Sequence, residues 1–149
     1  MYDFVAMKVR YEKLSKADKA KLARVTKPEG FPMIGATYKL LPDQEKPHSG
    51  WQRVIFLLAL VEHEPQGASL GTLFGVCGIK EDRIQRIIHS SVPNTLTYIA
   101  SCLKLCGANN RVDFQRVAEL LFYWGDKSRE RLLQDFYRTI EEVKRVNCE

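Results

Sequence analysis

Between Asp113 and Val143 the apolar residues recur every three or four positions, with a single break at Gly125. Phe114, Val117, Leu121 and Trp124 form one stripe; Leu132, Leu133, Phe136, Ile140 and Val143 form a second. A helix buries a pattern of that period, so this quarter of the chain is predicted to be two amphipathic helices joined at a glycine stop and packed on the rest. Arg131, Arg138 and Arg145 stand seven residues apart, which places them on one outward line beside Lys127. Nothing in the segment supplies bond-breaking chemistry.

The remainder of the chain is punctuated in the same way. Ser15 stands three residues before Asp18, a variant of the capping box, and opens a helix expected to run to Lys27. Pro28 ends that helix, and Pro32 and Pro42 bound a short apolar element, Met33 to Leu41. The polar segment from Pro42 to Gly50 is expected to be a mobile loop. Further helices are expected at Tyr2 to Lys13, Trp51 to His63, Ser69 to Gly75 or Gly78, Lys80 to His89 and Pro93 to Cys106. No segment alternates with the period of two that marks a strand, and no repeat of solenoid length occurs. The expected fold is all-α, a compact bundle of about eight or nine helices in two abutting halves, residues 1–66 and 67–149.

At 149 residues and 45% hydrophobic content the chain can bury a sizeable core without disulfides or metals. The opening MYDFVAMKVRYEKL interleaves charges with apolar residues and so lacks the apolar run of a signal peptide. The longest apolar run, Val54 to Val61, is eight residues, against the roughly 20 needed to span a bilayer. No membrane association is expected. Cys77, Cys102, Cys106 and Cys148 lie in or beside predicted helices, where free cysteine behaves as a small buried hydrophobe, so a cytoplasmic protein with reduced thiols is expected.

The catalytic inventory is thin. His48, His63 and His89 share no metal-ligand spacing with the cysteines. Cys102 and Cys106 share a helix face with Leu96, Ile99 and Leu103, which reads as core. A Cys-His nucleophilic pair would need an activating partner brought from afar, and no flanking signature accompanies any of the cysteines. Gly71, Gly75 and Gly78 lack the lysine-terminated loop that cradles nucleotide phosphates and read as a short helix with its cap. No enzyme, cofactor, metal site or small-molecule substrate is expected.

Charge is the better lead. The net charge is +5, and the surplus is uneven: residues 1–30 hold eight Lys/Arg against four Asp/Glu, and residues 69–107 hold four against two. On the second helix Lys16, Lys19, Ala20, Ala23, Arg24 and Lys27 share a face opposite Leu22 and Val25. On the predicted 80–89 helix Arg83 and Arg86 flank or oppose the inward Ile84, Ile87 and Ile88, and on the next helix Thr97, Ser101 and Lys104 form the outer side. Hydroxyls beside cations suit a phosphate backbone, whereas the same pattern also serves as a solvated helix face. No aromatic RNA-binding motif or zinc finger is present, so base-specific reading is not expected.

Four ordered motifs resemble a known family. They are Ala23-Arg24-Val25 before Pro28, Ser69-Leu70-Gly71, the Glu81-x-Arg83-Ile84-x-x-Ile87-Ile88 helix and the closing Trp124-Gly125 to Asp135-Phe136 block. Together they resemble the small-subunit (CasB) family of the type I-E CRISPR surveillance complex, Cascade, over nearly the whole chain. The resemblance implies a non-enzymatic helical protein of antiviral defence. It would be present as a pair, beside the backbone and large subunits, with CRISPR RNA and target DNA, holding the unwound strands of the R-loop. It also implies nucleic-acid contacts at Arg24, Lys46, Arg83, Lys127 and Arg129, to which the face analysis alone adds Lys16, Lys19, Arg86 and Lys104. His89, Val92 and Ser101 stand where the family tends to carry more cations. The rival expectation is a stand-alone helical DNA-binding regulator with a helix-turn-helix over 80–106. Its recognition helix would expose Thr97, Ser101 and a single cation, Lys104, which is poor for major-groove entry.

Overall fold

A computed structural model describes residues 2–148; Met1, Glu149 and the side chain of Cys148 lie outside the described residues, and with it the expectation for that thiol. The order is α1 (Phe4–Glu12), α2 (Lys16–Ala23), a 3-10 segment (Pro28–Met33), α3 (Thr37–Leu40), α4 (Ser49–Leu58), β1 (Glu62–His63), α5 (Leu70–Val76), α6 (Glu81–His89), α7 (Asn94–Cys106), β2 (Arg111–Val112), α8 (Phe114–Phe122) and α9 (Asp126–Cys148). The fold is all-α apart from one parallel pairing, in which Glu62 faces Arg111 and His63 faces Val112. Two residues per strand are too few to leave an alternating pattern in the sequence. They also shorten the expected 51–63 helix, which ends at Leu58.

The caps behave as their chemistry dictates. Ser15 Oγ accepts from Asp18 N at 3.1 Å and Ser69 Oγ from Thr72 N at 3.3 Å. The second helix stops at Ala23 rather than Lys27, because Pro28 biases the residue before it out of the helical region and Lys27 is extended (φ −123°, ψ 131°). Lys27 therefore leaves the basic row. Two histidines take a role no spacing rule revealed. His48 Nδ1 accepts from Gly50 N at the start of α4, and His63 Nδ1 accepts from Phe114 N at the start of α8, both at 3.1 Å. Each ring thus caps a helix through its unprotonated nitrogen.

Helix C-termini are capped over long distances by cations. Lys8, 5% exposed, donates to Leu58 O at the end of α4 at 2.7 Å, and Arg10 donates twice to Leu40 O at the end of α3. Lys19 Nζ reaches Glu12 O at the end of α1 at 3.1 Å. Arg53 donates from α4 to the final carbonyls of α8, Leu121 O at 2.5 Å and Phe122 O at 2.7 Å. Terminal carbonyls carry the negative end of the helix dipole, so each cation satisfies an orphan acceptor and an electrostatic preference together.

The core is one aromatic and aliphatic cluster. Trp51 packs against Phe122 (4.9 Å between centroids, 72°) and Phe4 (5.5 Å), and Tyr2 closes over them at 4.7 Å from Trp51. Glu45 accepts from both the Tyr2 hydroxyl and Trp51 Nε1, and Gln52 Nε2 donates to Pro47 O at 2.7 Å. The polar 42–50 segment, expected to be mobile, is tied to this cluster. Elsewhere α5 and α9 run in the same direction in the closest helix pairing of the fold, with Gly71 against Leu132 to Phe136 and Gly75 against Phe136 and Thr139. In the C-terminal hairpin Phe114, Val117, Leu121, Leu132 and Phe136 are buried as the periodicity requires, but Leu133 and Ile140 are half-buried and Val143, near the free end of α9, is exposed. Trp124 is not fully buried either. It lies beyond the end of α8 and is half-buried, with the Arg129 guanidinium 5.4 Å from its ring.

Candidate nucleic-acid interface

The steep amphipathicity of α6 turns Ile84 and Ile87 fully inward and leaves Arg83 and Arg86 outside, three residues apart on one side of the helix. Helix α7 packs along α6 and buries Leu96, Ile99, Cys102 and Leu103. That leaves Thr97 and Ser101 outward at a spacing of four. The two outward sides meet in a cleft of about 150 Å³ lined by Arg83, Arg86, Thr97, Tyr98, Ser101 and Cys102. A water occupies roughly 30 Å³, so a phosphate group fits.

The donors in this cleft are well defined. Arg86 lies over the Tyr98 ring at 5.6 Å, a cation–π contact that holds the guanidinium against α7. The Ser101 hydroxyl donates back to Thr97 O at 3.1 Å, so the donors free for an anion come from the two guanidinium groups and the hydroxyls of Thr97 and Tyr98. Cys102 forms the floor. Burial pushes its thiol up, against the pull of Arg83 and Arg86, and burial first and contact with Cys77 second push the Cys106 thiol up as well. A nucleophilic cysteine requires the opposite shift. His48 and His63 are engaged with backbone amides, and His89 Nε2 faces Gln85 Oε1 at 3.0 Å. Among the described residues no group of three or more His, Cys, Asp or Glu is arranged to hold a metal, and no helix is long and apolar enough to cross a membrane.

The sequence-derived positions do not fall in one place. Arg83 and Arg86 line one cleft. Lys127 opens onto a second, larger cleft of about 260 Å³ between α5, α8 and α9, in the company of Arg116 and Arg131 but also Glu119 and Asp135. Arg129 is turned toward the hairpin, over Trp124 and 3.5 Å from Asp126 Oδ1. Lys104 stands at the rim of an apolar groove formed with Leu22, Ala23, Phe31 and Phe56. Lys19 is held by Glu12, through its carbonyl and its carboxylate, and lies over the Tyr11 ring. Lys16, Arg24 and Lys46 are exposed and form no ion pair among the described residues. Arg116 was missed, although its place three residues before Glu119 on the outer side of α8 marks it as a surface cation.

Such a molecule is an all-α protein whose polar clefts are lined by cations and whose imidazoles and described thiols are engaged in the fold. Its sequence matches the family described as CRISPR-associated protein Cse2 over residues 14–137, and the chain belongs to that family. This is the family that the four ordered motifs resemble. The chain is 26% identical to the CRISPR system Cascade subunit CasB of Escherichia coli (strain K12), covering 92% of this chain and 94% of that protein. It also superposes with a TM-score of 0.85 on a chain in the crystal structure of E. coli Cascade bound to a PAM-containing double-stranded DNA target. There the identity is 25%, and the match covers 95% of this chain and 99% of the other.

Proposed function

We propose that this chain is the small subunit of a CRISPR RNA-guided Cascade complex, a non-catalytic cytoplasmic protein that holds nucleic-acid backbone without reading sequence. The observation that carries this reading is the Arg83–Arg86–Thr97 cleft, where guanidinium and hydroxyl donors line a space that fits a phosphate and no base-reading constellation accompanies them. Family membership and the likeness to a CasB subunit and to a chain of DNA-bound E. coli Cascade support the assembly. In it the chain stands as a pair of copies with the large and backbone subunits, CRISPR RNA and target DNA, and residues 1–66 and 67–149 form its two halves. Lys16, Arg24, Lys46 and Lys127, exposed on other faces, extend the basic surface along which target or displaced strand runs.

The physical role follows from the energetics of strand exchange. Replacing duplex by heteroduplex is nearly balanced, so a protein that contributes only backbone contacts can tip it. Each neutralised phosphate releases counterions, which makes the contribution favourable and salt-sensitive. The test is target affinity of a reconstituted complex carrying wild-type or Arg83→Glu/Arg86→Glu subunit, on intact and pre-melted duplexes over a salt series. The variant should assemble normally, bind the intact duplex at least about tenfold more weakly, with a defect that shrinks on the pre-melted target, and show a salt slope lower by about 2. Equal affinities on the intact duplex would reduce these cations to a solvated surface and the subunit to a spacer.

A further inference from the structure

Three consecutive aromatic residues form the elbow between α8 and α9, and they are used differently. Phe122 is wedged among Tyr2, Phe4 and Trp51, and Trp124 lies under Arg129. Tyr123, between them, is 60% exposed. Its surroundings fix it. The ring stands at 74° to Phe122, 4.8 Å between centroids. Its amide donates to Glu119 O at 3.1 Å and its carbonyl accepts from Ser128 Oγ at 3.0 Å. The other strongly exposed tyrosine, Tyr38, has its hydroxyl committed to Pro32 O, whereas the Tyr123 hydroxyl has no hydrogen-bond partner among the described residues. The segments next to the elbow carry cations. Lys127 stands in the first turn of α9, four residues on. Lys46 follows Glu45, whose carboxylate holds Tyr2 against Phe122, and His48 packs on Phe122 from the same loop at 5.5 Å.

An exposed aromatic ring on a fixed backbone, at an elbow whose neighbouring segments carry cations, is the arrangement that single-stranded nucleic acid uses, phosphates on the charges and a base on the ring. We propose that Tyr123 is a stacking platform for an unpaired nucleobase. This rests on the backbone-binding reading above and adds to it a contact made with the base rather than the phosphate. The contact is tolerant of sequence, because every base presents a π-face.

The test uses the full chain and fluorescence anisotropy with two probes of equal length and charge, an oligothymidylate and its abasic counterpart. Wild type should prefer the base-bearing strand by about tenfold, within the range expected of base–aromatic stacking. Tyr123→Ala should remove that preference while leaving abasic affinity and the salt slope unchanged, and Tyr123→Phe should keep it. Arg83→Glu/Arg86→Glu should do the reverse, flattening the salt slope on both probes. Equal wild-type affinity for the two strands overturns the stacking role and leaves the backbone reading standing. So does a Tyr123→Ala defect of the same size on both strands, which would mark Tyr123 as a support of the fold or a protein contact. Failure to bind either strand overturns both.

Discussion

Substituting Gly71 by alanine sets two physical effects against each other. In an isolated helix the change gains about 1 kcal/mol of propensity. In this fold the new Cβ would overlap the Leu132 carbonyl oxygen and lie 2.9 Å from Asp135 Cβ and 3.0 Å from Phe136 N. Carbon atoms attract best near ~3.5 Å, so α5 must retreat from α9 by roughly 0.6 Å. A gap of that size forfeits about a quarter of each dispersion contact. Over roughly 50 atom pairs at ~0.15 kcal/mol each, contributed by Leu70, Leu73 and Phe74 against Leu132 and Phe136, the loss is about 2 kcal/mol, and distortion at Leu132 O adds to it. The net expectation is destabilisation by about 1–2 kcal/mol, a fall of about 0.5–1 M in the urea midpoint. Gly35, which has nothing within 4 Å of its would-be Cβ, is the control; Gly35→Ala should stay within about 0.5 kcal/mol of wild type. A Gly71→Ala protein as stable as wild type, or more so, would refute the close approach, because it would mean that propensity alone decides.

Two further outcomes are expected. A hydrogen bond from Lys8, helped by the charges of Lys8 and Lys19, holds the Glu12 carboxyl below its ordinary value. A depressed folded-state value contributes stability above the unfolded pKa of about 4.5 and loses it as pH falls through the folded value. Glu12→Gln should therefore flatten the acid limb of a urea-midpoint profile below pH about 4.5, by at most about 0.5 kcal/mol because the Glu12 carboxylate is half exposed, and an unchanged limb would exclude the pairing. The Trp124 Nε1 is buried with no acceptor among the described residues. An orphaned donor costs about 1–3 kcal/mol, so Trp124→Phe should be neutral or stabilising; a loss above about 1.5 kcal/mol would show that the indole N–H is satisfied.

Local signals carried furthest in the sequence. Ser15 and Ser69 cap where side-chain chemistry alone places them, and the 3.6 period picks out the buried faces of α6, α7 and α8. The outward faces that carry Arg83 and Thr97 were legible as well, but that the two helices bring them together in a cleft, without Lys104, was not. What the sequence could not convey is who meets whom at a distance. Lys8, Arg10 and Lys19 count toward the N-terminal cationic surplus, yet they serve as acceptor-seeking caps for helices up to 50 residues away. Composition cannot tell a charge aimed at a carbonyl from one aimed at solvent. His48 and His63 were invisible as caps for the same reason, since a histidine at a helix start carries none of the statistical weight of serine or aspartate. Gly71 and Gly75 read as a short helix and its cap, and only the path of α9 shows that the missing side chains are what bring the two backbones together.

Arg53 gives the elbow between α8 and α9 a mechanical character. A helix end held by one bond can swivel about it, but a planar guanidinium bonded to two successive carbonyls resists that rotation. The end of α8 is thereby locked in angle to α4, although 68 residues separate Arg53 from Leu121. Torque that reaches the end of α8 is therefore delivered to α4 rather than dissipated as a swivel of that helix end, so the α8 side of the elbow moves with α4 as one piece.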